Sequence, residues 1–233
     1  MKISIFSIPE ITPGKHNIKD ARLDQVDKIT KSKKKTYMQV EVAGEDGCLE
    51  ADAILVAGES CADLVLKDLE FVETRLSREP QENEKALLLK LKGILENEEL
   101  LFKAGLSQEE LQLMSGYGLV TAKPVIVAEK KDLEDLDALL ARAVKEGGYI
   151  GFFTTGEKET RSWLIKKGTS AWEAAGVIHS DIQRGFIRAE IITFQDFIQA
   201  GGESQAKQAG SMRLEPKEYV MQDADLANFR FNK

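Results

Sequence analysis

Apolar residues fall into two kinds of pattern along this chain, and the change from one to the other marks its organisation. Near the front they form short runs. Ile3, Ile5, Phe6 and Ile8 make Met1–Ile8 a buried strand stopped by Pro9 and Pro13, and Asp52–Ala57 and Pro124–Ala128 are similar. Tyr37–Ala43 alternates Met38, Val40 and Val42 with Tyr37 and Gln39, as a strand with two unlike faces does. Between these lies a helical period. Leu23, Val26 and Ile29 give Ala21–Lys31 an apolar stripe, and Val65, Leu69, Val72 and Leu76 give a second. After a break at Glu79–Asn83, Leu88, Leu91 and Leu95 give a third, so an antiparallel helical hairpin is expected at about 62–117. Ser107 followed by Glu110 is a capping box for one more short helix. Leu133–Val144 reads as a helix closed by Gly147 and Gly148.

The last third changes character. Phe152–Thr155 and Thr160–Ile165 flank the turn Gly156–Glu159, and helices are expected at Ser170–Gly176, Phe194–Ala200 and Ser204–Gly210. Strands are expected at Arg188–Thr193, Tyr219–Met221 and Asn228–Phe231. The pattern therefore divides into a front domain, 1–147, of α/β type, and a small α+β module, 148–233. There is no internal repeat and no low-complexity segment.

Composition changes this picture little: 42% hydrophobic and 30% charged residues are ordinary for a folded protein. The formal charge of −7 argues against broad coating of nucleic acid. It is uneven, since residues 1–147 carry 21 Lys and Arg against 28 Asp and Glu, whereas 148–233 carry 11 of each. Cys48 and Cys61 are too few for a disulfide framework and lack a metal-ligand spacing. The N-terminus lacks a signal-peptide pattern, and no apolar stretch is long enough to span a bilayer. A cytoplasmic location is expected.

Three segments, Phe152–Gly176, Val177–Ile192 and Tyr219–Asn232, closely resemble the C-terminal TGS domain of the YchF family, the Obg-like ATPases. The resemblance implies a β-grasp, ubiquitin-like fold. The front resembles the same family cut down. MKISIFSIPEITPGKHN stands where the family has its strand and phosphate-binding loop, ARLDQVDKITKSKKK resembles its PRLD-containing helix, and VEVAG (Val40–Gly44) its metal-associated Asp-x-x-Gly strand. ADAILVAGESCAD, DLEFVETRL and LVTAKPVIVA resemble the next strand, the start of the coiled-coil arm and the strand before the base-recognition motif. The implied architecture is a reduced P-loop-type α/β sheet with a helical hairpin insertion, followed by the TGS domain.

The catalytic signature is degenerate. A P-loop needs glycine-rich backbone donors around the phosphates, a lysine on the terminal phosphates and a Ser or Thr on magnesium. Ser7 occupies the first glycine position, Gly14 and Lys15 are a vestigial pair preceded by Pro13, and His16 follows instead of Ser or Thr. Glu41 replaces the family's aspartate, and Glu129–Asp132 holds no asparagine for base recognition. His16 and His179 have no serine or cysteine partner indicated by sequence, and His179 reads as structural. The expectation is a binding or regulatory protein without NTPase activity, with no cofactor and no metal. The alternative is a protein that keeps ATP or GTP affinity through a rearranged loop at Pro13–Asn17. Expected partners are the ribosome, RNA or a regulatory protein, with a homodimer compatible with the missing loops. The candidate interaction surface is Arg161, Lys166, Lys167, Arg184, Phe186 and Arg188, the aromatic among basic groups suiting phosphate contact with base stacking. Trp163 and Trp172 are expected in the core, and Lys31–Lys35 is a further basic run.

Overall fold

A computed structural model describes residues 1–232; Lys233, the end of the domain expected from sequence, lies outside the described residues. In chain order the first elements are β1 (Lys2–Phe6), β2 (Gly14–Ile18), α1 (Ala21–Thr30), β3 (Lys35–Thr36), β4 (Met38–Ala43) and β5 (Ala53–Ala57). The helical region follows as α2 (Cys61–Leu76), α3 (Glu82–Glu96) and α4 (Gln108–Met114), then β6 (Val125–Ala128) and α5 (Leu136–Glu146). The remainder is β7 (Tyr149–Thr154), β8 (Thr160–Lys166), α6 (Ala171–Ile178), α7 (Ser180–Arg184), β9 (Phe186–Ile192), α8 (Phe194–Ala200), α9 (Glu203–Gln208), β10 (Arg213–Glu215) and β11 (Leu226–Phe231).

These elements form two compact units, and the partition corrects the expected boundary. The first unit comprises Met1–His16 and Val40–Gly147, and the second Asn17–Gln39 and Gly148–Lys233. Residues 17–39, assigned by sequence order to the front, thus belong to the second unit. The reason lies in packing: Leu23 and Val26 of α1, both fully buried, share a core with Phe153, Ile192, Phe197 and Leu226. The expected charge distribution changes too. The second unit carries 18 Lys and Arg against 14 Asp and Glu, a balance of +4, and the first 14 against 25, or −11.

In the first unit the strand order is β2-β4-β1-β5-β6, with β1 parallel to both β4 and β5 and β5 parallel to β6. Central parallel strands are covered on both faces, which is why β5 reads as an unbroken apolar run. Helices α2 and α3 form the expected hairpin around Val65, Val72, Leu88, Leu91 and Leu95. Its antiparallel sense shows in the pairs Arg75–Glu84 (2.7 Å) and Glu73–Lys92 (2.7 Å). The Ser107 capping box forms, Ser107 Oγ accepting from the Glu110 amide at 3.2 Å. Within α2 the buried Asp68 accepts from the amides of Val120 (3.0 Å) and Thr121 (2.7 Å) and from Thr121 Oγ1 (2.6 Å), tying the helix to the turn before β6.

The second unit is built on a six-stranded mixed sheet, β10-β9-β11-β7-β8-β3. β7 and β8 form the antiparallel hairpin read from the Gly156 turn, β11 runs parallel to β7, and β9 is antiparallel to β11. Helix α6 packs on one face through Ala171, Ala174 and Ala175 against Phe152, Ile191 and Phe229. The expected strand Tyr219–Met221 is reduced to one bridge, Ser170 with Val220, because Tyr219 serves a polar cluster instead. Its hydroxyl donates to Asp225 Oδ2 (2.8 Å) and accepts from Arg213 Nη2 (3.1 Å). Burial, and then the adjacent carboxylate, push the Tyr219 phenol up to about 12. An unfolded phenol ionises near pH 10, so between about pH 10 and 12 only the unfolded state loses this proton and stability falls as pH rises. Denaturant titrations across that window should show the slope in the parent and a shallower one in Tyr219→Phe.

Candidate functional site: a cleft at the carboxyl ends of β1, β5 and β6

Parallel α/β sheets bind ligands in the crevice beyond the carboxyl ends of their strands. The first unit has a cleft there of about 700 Å³, lined by Ser7–Glu10 after β1, Ala57–Glu59 after β5 and Ala128–Lys131 with Leu133 after β6. Ile8, Pro9, Ala57, Ala128 and Leu133 give it apolar walls, while Lys130 and Lys131 supply positive charge and Glu10, Glu59 and Glu129 negative charge. Lys130 Nζ lies 3.9 Å from Glu59 Oε2, and both side chains are exposed. The floor after β6 is fixed by a reciprocal cap, the Glu129 amide donating to Asp132 Oδ2 at 2.9 Å. That hydrogen bond, and then the Arg142 guanidinium, hold the Asp132 carboxyl below the usual carboxylate range. Arg142 also donates to the Val127 carbonyl at 2.8 Å, so the rim of the cleft is anchored to β6.

The loop after β1 is drawn onto the core. Ser7 sits at φ 55°, and its amide donates to Glu45 Oε1 at 3.0 Å. Ile8 and Ile11 are buried and hold the loop there. Gly14 and Lys15 lie exposed in β2, an edge strand bonded to β4. The next helix in the chain, α1, belongs to the second unit. The Pro13–Asn17 segment, a rearranged loop in the alternative reading, is from Gly14 onward the strand β2. His16 Nε2 and the Thr12 carbonyl are 2.7 Å apart, which gives this histidine a turn-holding role. Glu41 is exposed on β4 in register with Lys2, at the start of β1, about five residues or ~16 Å along the strand from the cleft. These residues therefore do not fit a magnesium site of P-loop type. Among the described residues no group of three or more His, Cys, Asp and Glu is arranged to hold a metal.

The surface expected on the second unit is dispersed. Arg161 lies on β8 with its guanidinium 3.9 Å from the Trp163 ring centroid, on the sheet face that α6 covers. Arg188 lies on the opposite face, cross-strand from Arg230 and two residues before Glu190. Arg184 pairs with Asp181 at the end of α7, and Lys166 ends β8, 5.8 Å from the Tyr149 ring, followed by Lys167. Phe186 offers no free stacking platform, because it packs against Phe229 (6.0 Å) and the core. Trp163 joins that core as expected, but Trp172 is 44% exposed. His179 caps α7, its Nδ1 accepting from the Asp181 amide at 3.1 Å.

Comparison with known proteins decides the family. The model described as YchF-GTPase_C, a protein of unknown function (DUF933), matches residues 149–232. The "Ribosome-binding ATPase YchF" of Haemophilus influenzae is 32% identical over 232 aligned positions, covering 73% of this chain and 64% of that protein. The chain belongs to the YchF family of Obg-like ATPases. "Obg-like ATPase 1" of Danio rerio is 47% identical over 81 residues, 35% of this chain and 20% of its own. The solved Schizosaccharomyces pombe YchF GTPase has the same fold, with a TM-score of 0.81 at 20% identity, covering 99% of this chain and 97% of the other. Within the YchF family the expectation of a protein without NTPase activity does not stand, since the relatives are named ATPases and the structural neighbour a GTPase. That expectation rested on departures from a sequence motif, and the sheet ends in a cleft of ligand size. No helix among the described residues is long and apolar enough to cross a membrane.

Proposed function

We propose that this YchF-family chain engages the ribosome and takes a purine nucleotide in the cleft beyond β1, β5 and β6. The observation that carries the reading is the relationship to proteins named ribosome-binding ATPases, which extends over 73% of the chain and therefore beyond the C-terminal match. The cleft supports the nucleotide part. Ile8, Pro9 and Leu133 present apolar surface suited to a base, and Lys130 and Lys131 present point charges suited to phosphates. Lys15, the family's phosphate-binding position, plays no part in this arrangement because β2 holds it on the sheet edge. The second unit is read as a TGS-type β-grasp module. Its support is a first strand, β7, with a hairpin partner on one side and the last strand, β11, parallel to it on the other, and α6 across one face.

Sedimentation through a sucrose cushion tests the ribosome part. The chain should pellet with ribosomes at low salt, with or without added ATP or GTP altering the amount. A chain left entirely in the supernatant at the lowest salt would overturn the reading.

A further inference from the structure

The segment from Lys31 to Thr36, a bare basic run in the sequence, is a built edge of the second unit. β3 pairs in parallel with β8, Lys35 opposite Thr160 and Thr36 opposite Arg161. Three further bonds fasten it to the β7–β8 turn: the Lys33 amide to the Glu157 carbonyl (3.1 Å), Ser32 Oγ to the Gly156 carbonyl (2.6 Å), and the Thr160 amide to the Lys34 carbonyl (2.9 Å). This pairing brings Lys158 of the turn beside Lys31, Lys33 and Lys34, and all four are exposed. Lys34 shares Glu159 at 3.5 Å, and Lys35 is taken up by Asp24 at 2.7 Å. The side chains of Lys31, Lys33 and Lys158 have no ion pair among the described residues. A chain of net charge −7 thus holds a fixed basic edge on the unit whose own balance is +4.

We propose that this edge, Lys31, Lys33, Lys34 and Lys158, contacts the phosphate backbone of RNA. The inference deepens the ribosome reading and rests on it. Neither 31–36 nor 155–159 contains an apolar side chain, so a protein partner would find no hydrophobic core to close on. Binding a polyanion needs none, because release of its condensed counterions supplies the driving force. Ammonium groups without an aromatic neighbour fix a backbone and read no bases, so the contact is independent of sequence.

The test uses the full chain and a fluorescently labelled single-stranded oligouridylate, with anisotropy followed across a salt series. Lys31→Glu/Lys33→Glu/Lys158→Glu should weaken binding at least about tenfold at low salt and flatten the slope of log K against log salt by about 2, at ~0.7 per phosphate contact. The corresponding triple Gln variant, which removes charge without reversing it, should show the same flattening. Unchanged affinity and slope in both variants overturn the surface. Ribosome sedimentation separates the two readings. If the parent pellets and the Gln variant pellets equally at every salt concentration, the surface is wrong and the ribosome reading stands. If the parent does not pellet but binds oligouridylate through these lysines, the ribosome reading fails and the surface stands.

Discussion

Leu23→Ala is expected to destabilise the second unit by about 3 kcal/mol and lower its melting midpoint by roughly 12 °C, the cost of removing a buried leucine from a core that closes only in part. Leu23 is fully buried among Val26, Phe153, Ile192 and Phe197, so the cavity would open at the junction of α1, α8 and the sheet. The readout is specific. Trp163 and Trp172 are the chain's two tryptophans and both lie in the second unit, so tryptophan emission during unfolding reports on that unit. An unfolding free energy by tryptophan emission within about 1 kcal/mol of the parent would mean that residues 17–39 do not pack there.

Asp68→Ala should be at least as costly in the first unit, about 3–4 kcal/mol. It strips the acceptor from three buried donors, the Val120 and Thr121 amides and Thr121 Oγ1, and each unsatisfied group costs roughly 1–3 kcal/mol. Far-UV circular dichroism is the measurement, since α2 and α3 lie in that unit. The pH dependence has a defined sign. Burial outweighs the hydrogen bonds and raises the Asp68 carboxyl above the ordinary carboxylate range. The folded carboxyl therefore holds its proton more tightly than the unfolded one. As pH falls from neutral through the folded value toward about 4, this residue adds stability to the fold. The gap between the parent and Asp68→Ala should widen on acidification; a gap that narrows contradicts the assignment.

What was legible in the sequence follows from where the physics is local. The runs forming β1, β5 and β6 announce strands because both faces are buried, and the stripe through Val65 and Val72 announces a helix because one side meets α3. β2 was not legible: of GKHNI only Ile18 is buried, and an edge strand held by backbone bonds leaves no alternation to read. The same blindness hid β3, whose Lys35 and Thr36 gain their role from β8, more than a hundred residues away in sequence. The stripe of Leu23 and Val26 correctly called a helix but could not say which sheet it would meet. At the candidate site, motif reasoning looked at Gly14 and Lys15, whereas the cleft gathers the ends of three strands from distant parts of the chain. The rule for parallel sheets could have pointed there, since all three strands were readable. Phe186 was misjudged because adjacency to Arg184 and Arg188 says nothing about its contact with Phe229.

The most direct test of the nucleotide site is a calorimetric titration of the full chain with ATP and with GTP in the presence of magnesium, repeated for Lys15→Ala and for Lys130→Ala/Lys131→Ala. Saturable binding by the parent, unchanged in Lys15→Ala and weakened about tenfold or more in the double variant, is the predicted result, each phosphate-facing lysine contributing on the order of 1 kcal/mol. Binding lost in Lys15→Ala but kept in the double variant would place the nucleotide at β2 and contradict the cleft, and no heat at millimolar nucleotide would contradict the nucleotide reading altogether.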